Sequence, residues 1–232
     1  VTHADAEFVE AFRHAESIDG WLTPAQARVL FDEARRIAPG RVVEIGSHLG
    51  RSTVVLGASG ASVTAIDPFG SDWRYGRGDT ETRMRGHLAA AGVEEMVDVR
   101  VATSRAARDD WAQPVRLVYV DGKHDYWSCL DDLRWAAWLR PGDRILVHDA
   151  FSSLGVTLAL LRALLLSGEL TYLDRTGSLA RLELRRPGWR DRRRVLGELS
   201  WFGRNLIVKV LLRLRLRALA RRLGHHDSAD PY

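Results

Sequence analysis

The sequence predicts an α/β fold, a mostly parallel sheet flanked by helices and closed by a C-terminal antiparallel hairpin. Three observations predict it. Short, near-continuous apolar runs rich in Val and Ile recur along the chain, the pattern of strands buried on both faces. Helix-patterned segments separate these runs, as in successive βα units. The runs also give way to polar residues, namely Glu44, Asp67, Ser104, Asp121 and the pair His148-Asp149. In an open parallel sheet the C-terminal ends of the strands are where ligands bind.

Residues 5–37 read as helical, with apolar positions at Phe8, Phe12, Leu22, Ala25, Val29, Leu30 and Ile37; Thr23-Pro24 supplies an N-cap and first-turn proline, and Pro39-Gly40 ends the region. "RVVEIGSHLGRSTVVLGASG" follows as strand, glycine turn and a helix that opens with Ser52. "ASVTAIDPFG" is a second strand ending at Asp67, and residues 80–91 a helix. "MVDVRVATS" is a third strand ending near Ser104, followed by a helix over 104–111. "VRLVYVDG" is a fourth strand ending at Asp121. A helix over 128–139 is closed by Pro141-Gly142, and "DRILVHDAF" is a fifth strand ending at His148-Asp149. Residues 154–166 give another helix, and "LTYLDRTGSLARLEL" a hairpin around Thr176-Gly177.

With 232 residues, 46% hydrophobic and 28% charged, the chain suits one core with additions. The expected division is a domain over 1–185 and a basic amphipathic extension over 186–232. No stretch approaches the roughly 18 apolar residues of a membrane span, and no signal-peptide pattern opens the chain. A cytoplasmic, soluble protein is therefore expected. The single cysteine, Cys129, excludes an internal disulfide and a cysteine zinc cage and reads as a small apolar helix residue. Residues 185–222 hold 13 Lys/Arg and two Asp/Glu, net +11, while the remainder carries −7. The body is acidic and the tail basic.

"EIGSHLGRS" puts Glu44 on the first strand and Gly46 and Gly50 in the turn after it. Gly46 lets backbone approach a ligand closely, and the following helix presents unpaired N–H groups. A dinucleotide site wants G-x-G-x-x-G; the spacing here is E-x-G-x-x-x-G. An acid before the first glycine repels a pyrophosphate and suits a cation such as the sulfonium and ammonium of S-adenosylmethionine. Asp67, about 20 residues on, is placed for ribose hydroxyls. The plain alternative is an ordinary βα connection.

From about residue 21 to 151 the chain resembles the class I S-adenosylmethionine-dependent methyltransferases, which have a Rossmann-like fold. In particular it resembles the bacterial branch of small-molecule and sugar O-methyltransferases, many of them metal-dependent. "VVEIGSHLGRST" is similar to the family's first motif, "VTAIDPF" to its second, and "VYVDGKHDYWSCLDDLRWAAWLRPGDRILVHD" to its later block. The resemblance implies that Glu44, Gly46, Ser47 and Ser52 line the methionine and turn region, Asp67 the ribose and Ser104 the adenine side. "VRVATSRAA", which contains Ser104, is the loosest match.

Methyl transfer to a hydroxyl asks the protein to align the acceptor oxygen and remove its proton. Asp121 and Asp149 end neighbouring strands, and two converging carboxylates can hold a hard cation that acidifies a bound hydroxyl. In the metal-dependent relatives acids at these places hold magnesium, so Asp121 and Asp149 match. His148, at the third ligand position, departs from that pattern because imidazole suits magnesium poorly. Three roles stay open for it: ligand to a softer ion such as manganese, base, or cap of the sheet edge. Asp121-Gly-Lys-His124 matches a D-x-x-H arrangement in which related sugar O-methyltransferases use the histidine as base; the alternative is a loop histidine satisfied by backbone.

The segment 69–85 follows the second strand. Trp73 and Tyr75 suit a sugar ring, and Arg74 or Arg77 an anionic group, in a loop that covers the acceptor or simply packs on the surface. Tyr126 and Trp127 read as helix-start packing residues. In the tail, "LRLRLR" alternates with period two while its flanks suit a helix. The tail's alternatives are docking on its own domain, on an anionic membrane surface, on a second subunit, or on nucleic acid; the acidic body disfavours nucleic acid. His225-His226 is not read as a metal site. The expectation is an O-methyltransferase using S-adenosylmethionine and Mg2+ or Mn2+. Its expected acceptor is a small-molecule or oligosaccharide hydroxyl, its expected state a dimer. The alternatives are metal-free transfer with His124 or His148 as base, or a nucleic-acid-binding module.

Overall fold

The structure, a computed structural model of the chain, describes residues 3–70 and 78–225. Trp73, Arg74, Tyr75, Arg77 and His226 lie outside the described residues. Helices α1 (His3–Glu16) and α2 (Pro24–Ile37) lead into β1 (Arg41–Ile45), α3 (Arg51–Gly57), β2 (Ser62–Asp67), α4 (Thr80–Ala90), β3 (Val97–Val101) and α5 (Ser104–Asp109). Then follow β4 (Leu117–Val120), α6 (Tyr126–Asp132), β5 (Arg144–Val147), α7 (Leu154–Arg162), β6 (Leu170–Thr176) and β7 (Leu179–Leu184). The tail forms α8 (Trp189–Gly197), α9 (Leu199–Arg213) and α10 (Arg217–Arg222).

The seven strands form one sheet in the order β3-β2-β1-β4-β5-β7-β6. β1 to β5 run parallel, and β7 pairs antiparallel with both β5 and β6. This is the α/β fold expected from the sequence, with the class I methyltransferase arrangement. The chain builds outward from β1 to β3, then returns to β4 on the other side of β1. The two C-terminal ends at this reversal open a crevice, as in other doubly wound sheets.

Val43, Val118 and Ile145 of the central strands face a core completed by Trp135, Leu160 and Tyr172. The other face packs Val42, Leu117 and Leu146 against Phe31, Leu56 and Met84. Burial on both faces explains why these strands read as continuous apolar runs. Where they end, the backbone turns toward solvent and polar side chains collect.

The boundaries differ from expectation at several places, four of them for a clear local reason. The first helical region is broken at 17–23: Thr23 and Gln26 form a reciprocal capping box that starts α2 afresh. Arg51 donates to the carbonyls of Ile18 and Leu22, pinning this break to α3. β3 stops at Val101, and Ser104 opens α5 behind the N-cap Thr103. α6 begins two residues early because the Asp125 carboxylate caps the N–H groups of Trp127 and Ser128. In the tail, the flanks are helical and the alternating run, residues 212–217, holds the turn between two helices. α9 ends at Arg213, and Arg215, with φ 62°, turns the chain into α10.

Candidate active site

The strand register places the polar residues side by side. Ile45 lies opposite Val120, and Val120 opposite Val147. The next residues continue the ladder: Gly46 N–H donates to Ile66 O, Asp121 N–H to Ile45 O, and His148 N–H to Val120 O, each at 2.9 Å. Asp67, Gly46, Asp121 and His148 therefore form a row across four adjacent strand ends. Around it the backbone is left-handed at the non-glycine residues His48, Phe69, Asp149 and Phe151, a conformation that costs energy and gathers at functional sites.

On the β1 side, Glu44 is fully buried and accepts hydrogen bonds from the Ser52 and Thr53 hydroxyls of α3. Burial raises its pKa to about 7 against the pull of those hydroxyls, with the charges of Asp121 and Asp67 adding to the rise. Ser52 thus bonds to Glu44 within the protein. Gly46 has φ +88°, and a Cβ there would come within 2.3 Å of the Asp121 carbonyl oxygen. Its missing side chain makes room for the neighbouring strand end, whereas the sequence suggested room for a ligand. Gly50, φ +87°, is the N-cap of α3. Each Asp67 oxygen accepts one backbone N–H, from His48 at 2.9 Å and Phe69 at 2.7 Å. The carboxylate is thereby fixed, and its partly exposed oxygens retain lone pairs.

Two serines behave differently. Ser47 is buried, and its hydroxyl has no hydrogen-bond partner among the described residues. An orphaned hydroxyl in the turn between β1 and α3 fits a polar ligand at that turn. With Asp67 fixed nearby, these residues fit S-adenosylmethionine. Ser104 instead accepts from Trp135 Nε1 at 3.0 Å and bonds to the buried Asp132, whose pKa burial raises to about 6. Its hydroxyl serves a helix-to-helix contact.

On the β4 and β5 side, Asp121, His124, His148 and Asp149 converge. His124 Nδ1 is 2.9 Å from Asp149 Oδ2, and its Nε2 is 3.5 Å from Asp121 Oδ1. Burial depresses the His124 pKa, but hydrogen bonds to Asp121 and Asp149 outweigh burial and hold it up at about 10. Burial likewise opposes ionisation of Asp149, yet the bond to His124 and the nearby His148 keep its carboxyl well below the usual range. His148 is 7% exposed. Its Nδ1 lies 3.4 Å from Asp121 Oδ1 and 3.8 Å from Asp149 Oδ1, and its buried Nε2 has no hydrogen-bond partner among the described residues.

Three supports were not read from the sequence. Tyr119, fully buried on β4, donates its hydroxyl to Asp121 Oδ2 at 2.9 Å. Gly155 in the first turn of α7 packs on the loop carrying His124: a Cβ there would stand 2.4 Å from the His124 carbonyl oxygen. From the tail, Asn205 Nδ2 donates to Phe151 O at 3.1 Å and Lys209 Nζ to Ser152 O. α9 therefore holds the loop after Asp149. The i, i+2 relation of Tyr119 to Asp121 was the one local signal available.

A divalent cation between Asp121 and Asp149, with His148 as third ligand, does not fit this geometry. The His124 ring occupies the space between the two carboxylates and bonds to both. Among the described residues no three His, Cys, Asp or Glu side chains form a group that could hold a metal ion. The place the sequence suggested for a metal is taken here by the His124 ring, whose pKa the hydrogen bonds to Asp121 and Asp149 raise.

A family model described as a methyltransferase domain matches residues 43–150, the span that carries the row of strand ends. Among solved structures, cofactor-bound Rv0187 from MTB superposes with a TM-score of 0.59 at 22% identity, covering 81% of this chain and 92% of that one. The O-methyltransferase TomG from Streptomyces achromogenes, involved in tomaymycin synthesis and solved with SAM, gives 0.56 at 18%, covering 80% and 91%. An rRNA methylase from Streptococcus thermophilus gives 0.52 at 16%, covering 68% and 95%. The fold is shared by proteins with unlike acceptors, so the acceptor must be argued from the site.

Proposed function

We propose that this protein, an S-adenosylmethionine-dependent methyltransferase, methylates a hydroxyl of a small molecule, with a sugar or glycoside as the favoured acceptor and His124 as the base. The observation that carries the reading is the placement of the His124 imidazole between Asp121 and Asp149. Ser47, Gly46, Gly50 and the Glu44–Ser52 pair would shape the methionine end, and Asp67 would take the ribose hydroxyls. Ser104 would act through Trp135 and Asp132, behind the adenine. When bound, S-adenosylmethionine supplies a methyl group already activated by its sulfonium.

What falls to the chain is alignment and proton removal. As the acceptor oxygen forms its bond to the methyl carbon and the carbon–sulfur bond breaks, leaving a thioether, the hydroxyl proton passes to neutral His124. Asp149 and Asp121 stabilise the resulting imidazolium, and Tyr119 and His148 steady Asp121. The preference for a sugar hydroxyl is supported by the D-x-x-H spacing of Asp121 and His124, which resembles that of sugar O-methyltransferases. No step is assigned to a divalent cation, because the residues present do not fit one.

The test is methyl transfer from S-adenosylmethionine to a panel of glycosides and catechols, followed by mass spectrometry, with and without a chelator, for the wild type and His124→Gln. Transfer that survives chelation and is lost in the variant is expected. Dependence on added Mg2+ or Mn2+ would overturn the metal-free mechanism. Failure to bind S-adenosylmethionine in calorimetry would overturn the reading of the site.

A further inference from the structure

The tail helices turn an apolar strip outward. In α9, Asn205 and Val208 are buried against the body. On its other side Leu206, Ile207, Val210 and Leu214 are 37 to 62% exposed. Leu206, Val210 and Leu214 recur every fourth residue and so stack along one face, with Ile207 beside them. Past the turn at Arg215 the strip continues through exposed Leu216, Leu219 and Leu223. Arg213, Arg215, Arg217 and Arg222 flank it, all exposed. Among the described residues no ion pair joins any of these four to an acid.

Scattered exposed leucines are ordinary on a protein surface, whereas a continuous strip calls for an occupant. We propose that the outer face of α9 and α10 docks on an anionic phospholipid surface. An apolar strip bordered by arginines matches an interface in which acyl chains lie beneath negative headgroups. No helix among the described residues is long and apolar enough to cross a membrane, so the contact runs along the surface. A second copy is a poorer occupant, because a two-fold contact through this face would set arginine clusters against each other. Nucleic acid is poorer still, since phosphates give the leucines nothing to pack against. α9 grips the Phe151 and Ser152 carbonyls from its inner side, so docking would bring the acceptor end of the site to within about 10 Å, one helix diameter, of the headgroups.

The experiment is co-sedimentation of the full chain with phosphatidylcholine vesicles, with and without phosphatidylglycerol. It compares the wild type with two triple variants, Arg213→Glu/Arg215→Glu/Arg217→Glu and Ile207→Ser/Val210→Ser/Leu214→Ser. All substituted residues are exposed, and S-adenosylmethionine binding together with the circular-dichroism melt checks that each variant is folded. Binding to phosphatidylglycerol vesicles that weakens with salt is expected, with a loss of about tenfold or more in each variant. Three results would overturn the proposal: no binding to either vesicle, equal binding to neutral and anionic vesicles, or undiminished binding by the serine variant. A dimer in sedimentation velocity that the serine variant dissociates would assign the face to a second copy instead.

Discussion

His124 donates to Asp149 across 2.9 Å, a pair drawn from two strand-end loops 25 residues apart in sequence, with Asp121 closing on the other ring nitrogen. This pairing fixes the sign of two pH effects. The His124 pKa stands at about 10, above the ordinary histidine value near 6.5. Its contribution to stability is therefore fully present below about 6.5 and is lost as pH rises through about 10. Transfer needs the neutral ring, so kcat/KM should climb with pH toward that value. Asp149→Asn removes one partner and should move the rise to lower pH while reducing the maximum, because the ring loses its orientation. A rate profile flat between pH 7 and 9 in the wild type would count against His124 as the base.

Tyr119→Phe isolates the orientation of Asp121. The substitution keeps the ring in its buried place on β4 and deletes the donor to Asp121 Oδ2. A net cost of about 0.5–1.5 kcal/mol in chemical denaturation is expected for one such bond. If Asp121 acts through His124, kcat should fall several-fold while S-adenosylmethionine affinity in calorimetry stays put. Equal losses in both would mean that the tyrosine serves the whole crevice.

Gly155 and Gly46 separate the two halves of the site. Gly155→Ala puts a Cβ 2.4 Å from the His124 carbonyl and 2.8 Å from the Tyr126 nitrogen, both backbone atoms that yield only by moving the loop. Transfer should drop by an order of magnitude or more with cofactor binding retained. Gly46→Ala meets the Asp121 backbone at 2.3 Å from a left-handed position. It should cost roughly 1–3 kcal/mol of stability and weaken cofactor binding as well. Melting curves and titrations on the two variants read the difference.

The parts legible in the sequence were those that local pattern controls. Strands buried on both faces read as apolar runs, so their ends, and with them Asp67, Asp121, His148 and Asp149, could be found by inspection. The D-x-x-H spacing likewise brought His124 forward. The same continuity hid Tyr119, because a strand buried on both faces carries no alternation to mark which side chain turns toward Asp121. Gly155 was silent because its reason is contact with a loop about 30 residues earlier. The tail's alternation in "LRLRLR" was a competing local signal. The burial of Asn205 and Val208 and the bonds to Phe151 and Ser152 fix the helix before it, and the alternating run itself, residues 212–217, holds the turn between α9 and α10. The imidazole in place of a metal was a matter of three-dimensional distance: the sequence supplied two acids and two histidines without their order in space.

Glu44 offers a test of charge at the cofactor end. Its pKa of about 7 comes from burial, reinforced by Asp121 and Asp67, so near neutral pH the group is partly protonated. A cation brought close to it favours the charged carboxylate and lowers that pKa. Binding of the sulfonium and ammonium of S-adenosylmethionine should therefore release a fraction of a proton near pH 7, and affinity should rise as pH increases through that value. Calorimetry in buffers of different ionisation enthalpy measures the release directly. Glu44→Gln should abolish it and bind with an affinity that no longer varies over this range, with one of the Ser52 and Thr53 hydroxyls still donating to the amide oxygen and the other turned to accept from the amide N–H. Proton uptake on binding would mean that the bound cation lies away from Glu44 and that the acid serves only to tie β1 to α3.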